Sequence, residues 1–176
     1  MKRILLVIMA VAGLYTANGQ RVERAIGLRL GNGSSAASTE VSYQHPLSKK
    51  TRIELDGSLS FGDNWISVGA TGLHQWVWNI ENGFQWFLGV GATIGETSVS
   101  YYTYDNIGRK QSSTNSYNYF TLALNPNGGA EYFFRNIPLQ VGIDVRPNIN
   151  LLHLNESYGL TIFDPTIGFS ARYVFK

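Results

Sequence analysis

A period of two recurs along this chain from Arg24 to Phe175, and no helix can carry it. Ile26, Leu28 and Leu30 alternate with Gly27, Arg29 and Gly31. Val41 and Tyr43 alternate with Ser42 and Gln44. Ile53, Leu55, Gly57, Leu59 and Phe61 oppose Glu54, Asp56, Ser58 and Ser60; Ile66, Val68 and Ala70 oppose Ser67, Gly69 and Thr71. The longest run sets Phe84, Trp86, Leu88, Val90, Ala92 and Ile94 against Gln85, Phe87, Gly89, Gly91, Thr93 and Gly95. Phe120, Leu122, Leu124, Ala130, Tyr132 and Phe134 oppose Thr121, Asn125, Asn127 and Glu131, with Pro126 predicting a bulge or bend. Leu139, Val141, Ile143 and Val145 oppose Gln140, Gly142, Asp144 and Arg146. Ile167, Phe169, Ala171, Tyr173 and Phe175 oppose Gly168, Ser170 and Arg172.

These eight segments predict an all-β chain, an eight-stranded antiparallel up-and-down barrel. One face of every strand is aliphatic or aromatic. The other is Gly, Ser, Thr, Asn and Gln with few charges. A soluble barrel or sandwich usually loads its polar face with Lys and Glu, but only 15% of this chain is charged. Strands of about ten residues also match the 9–11 needed to cross a bilayer at a tilt. Closure is then required, because lipid offers no partner to an open sheet edge. His45–Thr51, Val77–Gly83 and Arg135–Pro138 are expected as short turns, and Glu96–Asn118 and Pro147–Asp164 as long polar loops. That asymmetry is the transmembrane barrel's, and it places both termini on the short-turn side.

Seven ionisable residues share the inward parity: Arg29, Glu54, Asp56, Glu131, Asp144, Arg146 and Arg172. A narrow lumen forces them to pair, since an unpaired buried charge costs several kcal/mol. They are expected to form a structural polar network that plugs the barrel. Trp65, Trp76, Trp78, Trp86, Tyr43 and Tyr173 are expected in aromatic girdles near strand ends.

The beginning of the chain reads as an export signal. Lys2 and Arg3 precede the apolar run Ile4–Leu14, and Ala17-x-Gly19 offers a cleavage site before Gln20. The run is well short of the ~20 residues of a membrane-spanning helix. The expected organisation is a signal over 1–19 and a barrel domain over 20–176. Loss of Lys2 and Arg3 removes the formal +2 charge, so nothing points to nucleic acid. With no cysteine, closure rests on hydrogen bonds and packing.

The final stretch Ile167-Gly-Phe-Ser-Ala-Arg-Tyr-Val-Phe175 resembles the C-terminal strand of bacterial outer-membrane barrels, here followed by Lys176. Val41-Ser-Tyr-Gln-His-Pro-Leu47, Leu73-His-Gln-Trp-Val-Trp78, Trp86-Phe-Leu-Gly-Val-Gly91, Gly129-Ala-Glu-Tyr-Phe133 and Asp144-Val-Arg-Pro147 extend the likeness. Residues 20–176 thus resemble the small OmpA/OmpX-like barrels of Gram-negative envelopes, in their Bacteroidota-type version. The resemblance implies export to the outer membrane and contact with its lipid and lipopolysaccharide. It also implies insertion by the barrel-assembly machinery and a monomeric state. It implies no catalytic, cofactor or metal residue.

Candidate chemistry is thin. His45, His74 and His153 are far apart, without the local spacing of a metal site. A lipid-modifying hydrolase would need a Ser–His–acid set near the outer rim; His153 with Glu156 and Ser157, or with Ser98 or Ser100, is the available one. Tyr101, Tyr102, Tyr104, Tyr117 and Tyr119 suit either a strand hairpin above the membrane or an adaptable binding surface, with Arg109 and Lys110 at its tip. Gly89-x-Gly91 is no phosphate loop, since no helix follows. Three readings remain open: a non-enzymatic outer-membrane barrel, an outer-membrane lipid-modifying enzyme, and an exported soluble barrel carrying a small ligand.

Overall fold

The alternation resolves into one closed sheet. In the computed structural model, which describes residues 22–33, 37–101, 107, 115–153 and 163–175, eight strands run β1 (Arg24–Asn32), β2 (Ala37–Pro46), β3 (Thr51–Phe61) and β4 (Trp65–Asn79), then β5 (Phe84–Tyr101), β6 (Asn115–Phe133), β7 (Leu139–His153) and β8 (Phe163–Phe175). Each pairs antiparallel with the next, and β1 pairs with β8 to close the barrel. The segment expected to be a signal, residues 1–19, lies outside the described residues.

Arg24 sits opposite Phe175, so both ends of the described barrel lie at one rim. The turns after β2, β4 and β6 share that rim, here called the turn end; the opposite rim is the loop end. The turn after β4 places Asn82 (φ 52°) and Gly83 (φ 96°) in the left-handed region. A side chain at Gly83 would be strained, and its β-carbon would also meet the Phe133 carbonyl oxygen.

Two expected loops are shorter than the sequence suggested. β5 continues to Tyr101 and β6 begins at Asn115, so the Thr97–Tyr101 alternation extends the two strands as the hairpin reading expects. β7 runs on to His153, and Pro147, Asn148 and Ile149 pair with Pro165, Asp164 and Phe163 of β8. The tip carrying Arg109 and Lys110, together with Glu156 and Ser157, lies outside the described residues.

β6 keeps its register with β5 through Pro126 opposite Val90. Against β7 the pairing lapses from Asn125 to Asn127, around Pro126, and resumes in the same register with Gly128 opposite Val145. Pro126 has no N–H to donate, so the irregularity expected there is a break in the ladder rather than a bulge. A bulge lies nearer the loop end, between Leu122 and Ala123, with Leu151 as the extra residue.

Outward residues are apolar and exposed, as with Leu28 at 53%, Val41 at 57% and Phe169 at 61%. This reverses the arrangement of a soluble domain. Around the turn end an aromatic belt forms. Trp78 stacks on Trp86 with ring centres 4.3 Å apart, Phe84 lies 4.6 Å from Tyr132, and Tyr173 meets Phe175 edge-on at 5.3 Å. Trp65 is the exception. It shares parity with Ser67, Gly69 and Thr71 and lines the inside of the barrel, so it belongs to no outer girdle.

Candidate functional site: the barrel lumen

All seven ionisable residues singled out from the sequence point inward, and each is no more than 5% exposed. Six of them, with Glu40, form one chain of ion pairs across five strands. Asp144 accepts from Arg29 Nη2 at 2.6 Å and from Nε at 2.9 Å. Arg29 Nη1 donates to Glu40 at 2.8 Å, and Glu40 also accepts from Arg146 at 3.1 Å. Arg146 Nη2 reaches Glu54 at 2.9 Å and Asp56 at 2.8 Å. Arg172 closes the chain on Glu54 at 3.2 Å and donates to Ser42 and Ser170.

A second, smaller cluster sits nearer the turn end. Arg52 holds Glu131 through both terminal nitrogens, at 2.5 and 2.9 Å, and its Nε donates to Gln75 at 2.6 Å. Its guanidinium lies 5.0 Å from the centre of the Phe87 ring. Beneath it Val22, Val77 and Phe87 pack into a small apolar plug, with Leu73 and Val174 also buried.

Glu40 and Arg52 are the two members that the residue-by-residue reading passed over. The signal was present: Glu40 shares parity with Ser42 and Gln44, and Arg52 with Glu54 and Asp56. Glu40 lies within the strand read over Thr39–Gln44, and beginning the next strand one residue earlier than Ile53 finds Arg52. Between them the clusters engage β1, β2, β3, β4, β6, β7 and β8, while β5 contributes Phe87. These contacts cross-link the strands through the interior of the barrel.

Small residues make the room. A β-carbon on Gly168 would overlap the Arg29 guanidinium, which lies flat against that glycine. Above this level the lining changes to short hydroxyls and opens into a cavity of about 410 Å³ whose floor includes Arg29, Glu40 and Arg146.

The histidines do not converge. His45 lies 3.2 Å from the Tyr43 hydroxyl, and His74 meets Trp76 edge-on at 4.6 Å. Of the proposed hydrolytic set, Glu156, Ser157 and the His153 side chain lie outside the described residues. Ser98 and Ser100 lie on β5 with Ser98 opposite Asn118, whereas the His153 backbone pairs with Thr121 on the far side of β6.

A closed eight-stranded barrel with an apolar exterior and a paired polar interior defines the transmembrane β-barrel class of fold. Among solved structures the chain is similar to the N-terminal β-barrel domain of Pseudomonas aeruginosa OprF, with a TM-score of 0.63 at 12% identity, covering 90% of this chain and all of that one. It is also similar to Neisserial surface protein A (TM-score 0.59, 10% identity, 87% and 95% covered) and to Ail, the attachment invasion locus protein of Yersinia pestis (0.56, 11%, 87% and 97%). Identities this low establish a shared fold. No protein-family model and no curated protein matches the chain.

Proposed function

We propose that this chain is an integral outer-membrane protein whose plugged barrel serves envelope integrity or surface contact without catalysis. The observation that carries this reading is the inversion of the molecule. Its exterior presents Leu28, Val41, Ile94 and Phe169, while its interior holds four arginines and five carboxylates in mutual contact. Only lipid suits such an exterior, and the surface is far beyond what a soluble monomer exposes.

The lumen is blocked by what it contains. The chain of ion pairs from Asp144 through Arg29, Glu40 and Arg146 to Glu54 crosses the lumen and supports this reading. Outward Ile167, Phe169, Tyr173 and Phe175 on β8 supply the alternating apolar ending through which the insertion machinery would handle the chain. Outer-membrane lipid and lipopolysaccharide are the expected surroundings, and the barrel works as a monomer.

Heat-modifiable gel mobility after extraction tests the reading. The unboiled protein should need detergent and migrate faster than the boiled form. Free solubility without a mobility shift would refute membrane residence. Steady conductance in planar bilayers would refute the plug, and a changed lipid A profile on deleting the protein would refute the non-enzymatic role.

A further inference from the structure

The cavity at the loop end has a chemistry that the envelope role does not use. Its walls carry Ser58, Ser60, Ser67, Thr97, Thr121 and Asn150, from β3 to β7, and a single indole, Trp65, which packs against Gly62 of the β3–β4 turn. At about 410 Å³ it falls within the range of small-ligand pockets, roughly 300–1,000 Å³.

Its charges cancel. Arg29 and Arg146 in the floor are both held by Glu40, Arg29 is held again by Asp144, and Arg146 again by Glu54 and Asp56. Asp164, the remaining ionised lining residue, is itself engaged. An anion would find no spare cation there, and a cation no spare carboxylate. An uncharged ligand with many hydroxyls answers both the hydroxyl-rich walls and the cancelled charge. Its oxygens exchange hydrogen bonds with the serines and threonines, and an apolar C–H face packs on the indole.

We propose that this vestibule binds a neutral pyranose, either as a free small sugar or as the uncharged end of a glycan. The inference goes beyond the envelope role, and the two fail separately. Gel mobility can certify a folded membrane barrel that binds no sugar.

The test uses the full chain folded in a zwitterionic detergent without a sugar headgroup, since glycoside detergents would compete. Glucose, galactose, maltose and lactose are titrated with saturation-transfer NMR and tryptophan fluorescence as readouts. Galactose 6-sulfate and glucosamine serve as charged counterparts. Saturable binding of at least one neutral sugar at about millimolar Kd is expected, with weaker binding of the charged forms. Trp65→Leu should weaken it about tenfold, while Trp76→Leu on the outer face should not. Thr97→Val gives a second, milder probe should Trp65→Leu lose the folded mobility.

The same sugars displayed as glycan ends on an array separate the two sources. Binding in solution alone assigns a free solute, and binding on the array assigns a glycan terminus. The proposal is overturned if no neutral sugar saturates, if only charged forms bind, or if Trp65→Leu and Thr97→Val both leave the affinity unchanged.

Discussion

The two halves of the lumen are built from the same eight strands and the same inward parity, yet they differ in kind. Toward the turn end the inward positions carry long side chains: Arg52, Glu54, Gln75, Glu131, Gln140 and Arg172, all at most 3% exposed. Toward the loop end the same strands turn to Ser58 and Ser60 on β3, Ser67 on β4, Thr97 on β5 and Thr121 on β6. The belt is filled by residues that can reach across the barrel axis. The vestibule is lined by residues that cannot. The length of the inward side chains thus distinguishes the two ends.

Stability should follow the same division. The largest effect is expected in the belt, from Arg29→Ala. That change leaves Asp144 without its principal partner and Glu40 with Arg146 as its remaining cation, in a site that is almost wholly buried. Removing one partner of such a buried pair costs about 3–5 kcal/mol. The measurement is the urea midpoint of the folded protein in micelles, followed by gel mobility. A loss below about 1 kcal/mol would place the belt with ordinary surface ion pairs and erase the contrast between the halves.

A smaller effect is expected at the boundary, from Gly168→Ala. The new methyl group would overlap the Arg29 guanidinium, which Asp144 and Glu40 hold from the other side. Overpacking of this kind costs about 1–3 kcal/mol. Combining it with Arg29→Ala sharpens the point. Once the guanidinium is gone the methyl group has room, so the double variant should be scarcely less stable than Arg29→Ala alone. Additive losses would show that Gly168 matters for its backbone rather than for the space it leaves.

How far these two regions were legible in the sequence differs for a physical reason. Parity is set by the pleat, so it separated Arg29, Glu54 and Arg146 from Leu28, Leu55 and Val145 without any tertiary knowledge. The belt's charges stood out because a carboxylate or guanidinium is rare on a strand. Arg52 was missed because the alternation of its strand was begun at Ile53; Glu40 lay within the strand read over Thr39–Gln44, on the inward parity with Ser42, and was passed over.

The vestibule was hidden for the opposite reason. Pro147, Asn148 and Asn150 have loop-like composition, and a hollow lumen needs that same composition from its strands. A polar residue facing an internal cavity and one facing bulk water read alike. Trp65 misled in the reverse direction. Its aromatic character suggested a membrane girdle, while its parity with Ser67 and Thr71 already put it inside. Where composition and parity disagreed, parity was the better guide, because geometry fixes it and preference does not.

The smallest effect is expected high in the vestibule, where Thr97 donates to Ser67 at 2.9 Å. Removing one partner strands the other, but both groups line a cavity and can turn to water, so each of Ser67→Ala and Thr97→Val should stay within about 0.5 kcal/mol of the parent. The pair together should be as mild, since replacing both partners leaves no polar group unsatisfied. Urea midpoints for the two single variants and the double variant form the cycle. A coupling above about 1 kcal/mol would mean that the hydroxyls brace the barrel as the belt does, and that the hollow half is held by its lining. A coupling near zero leaves those hydroxyls without a structural task. That is the condition under which a row of serines and threonines is free to serve a ligand.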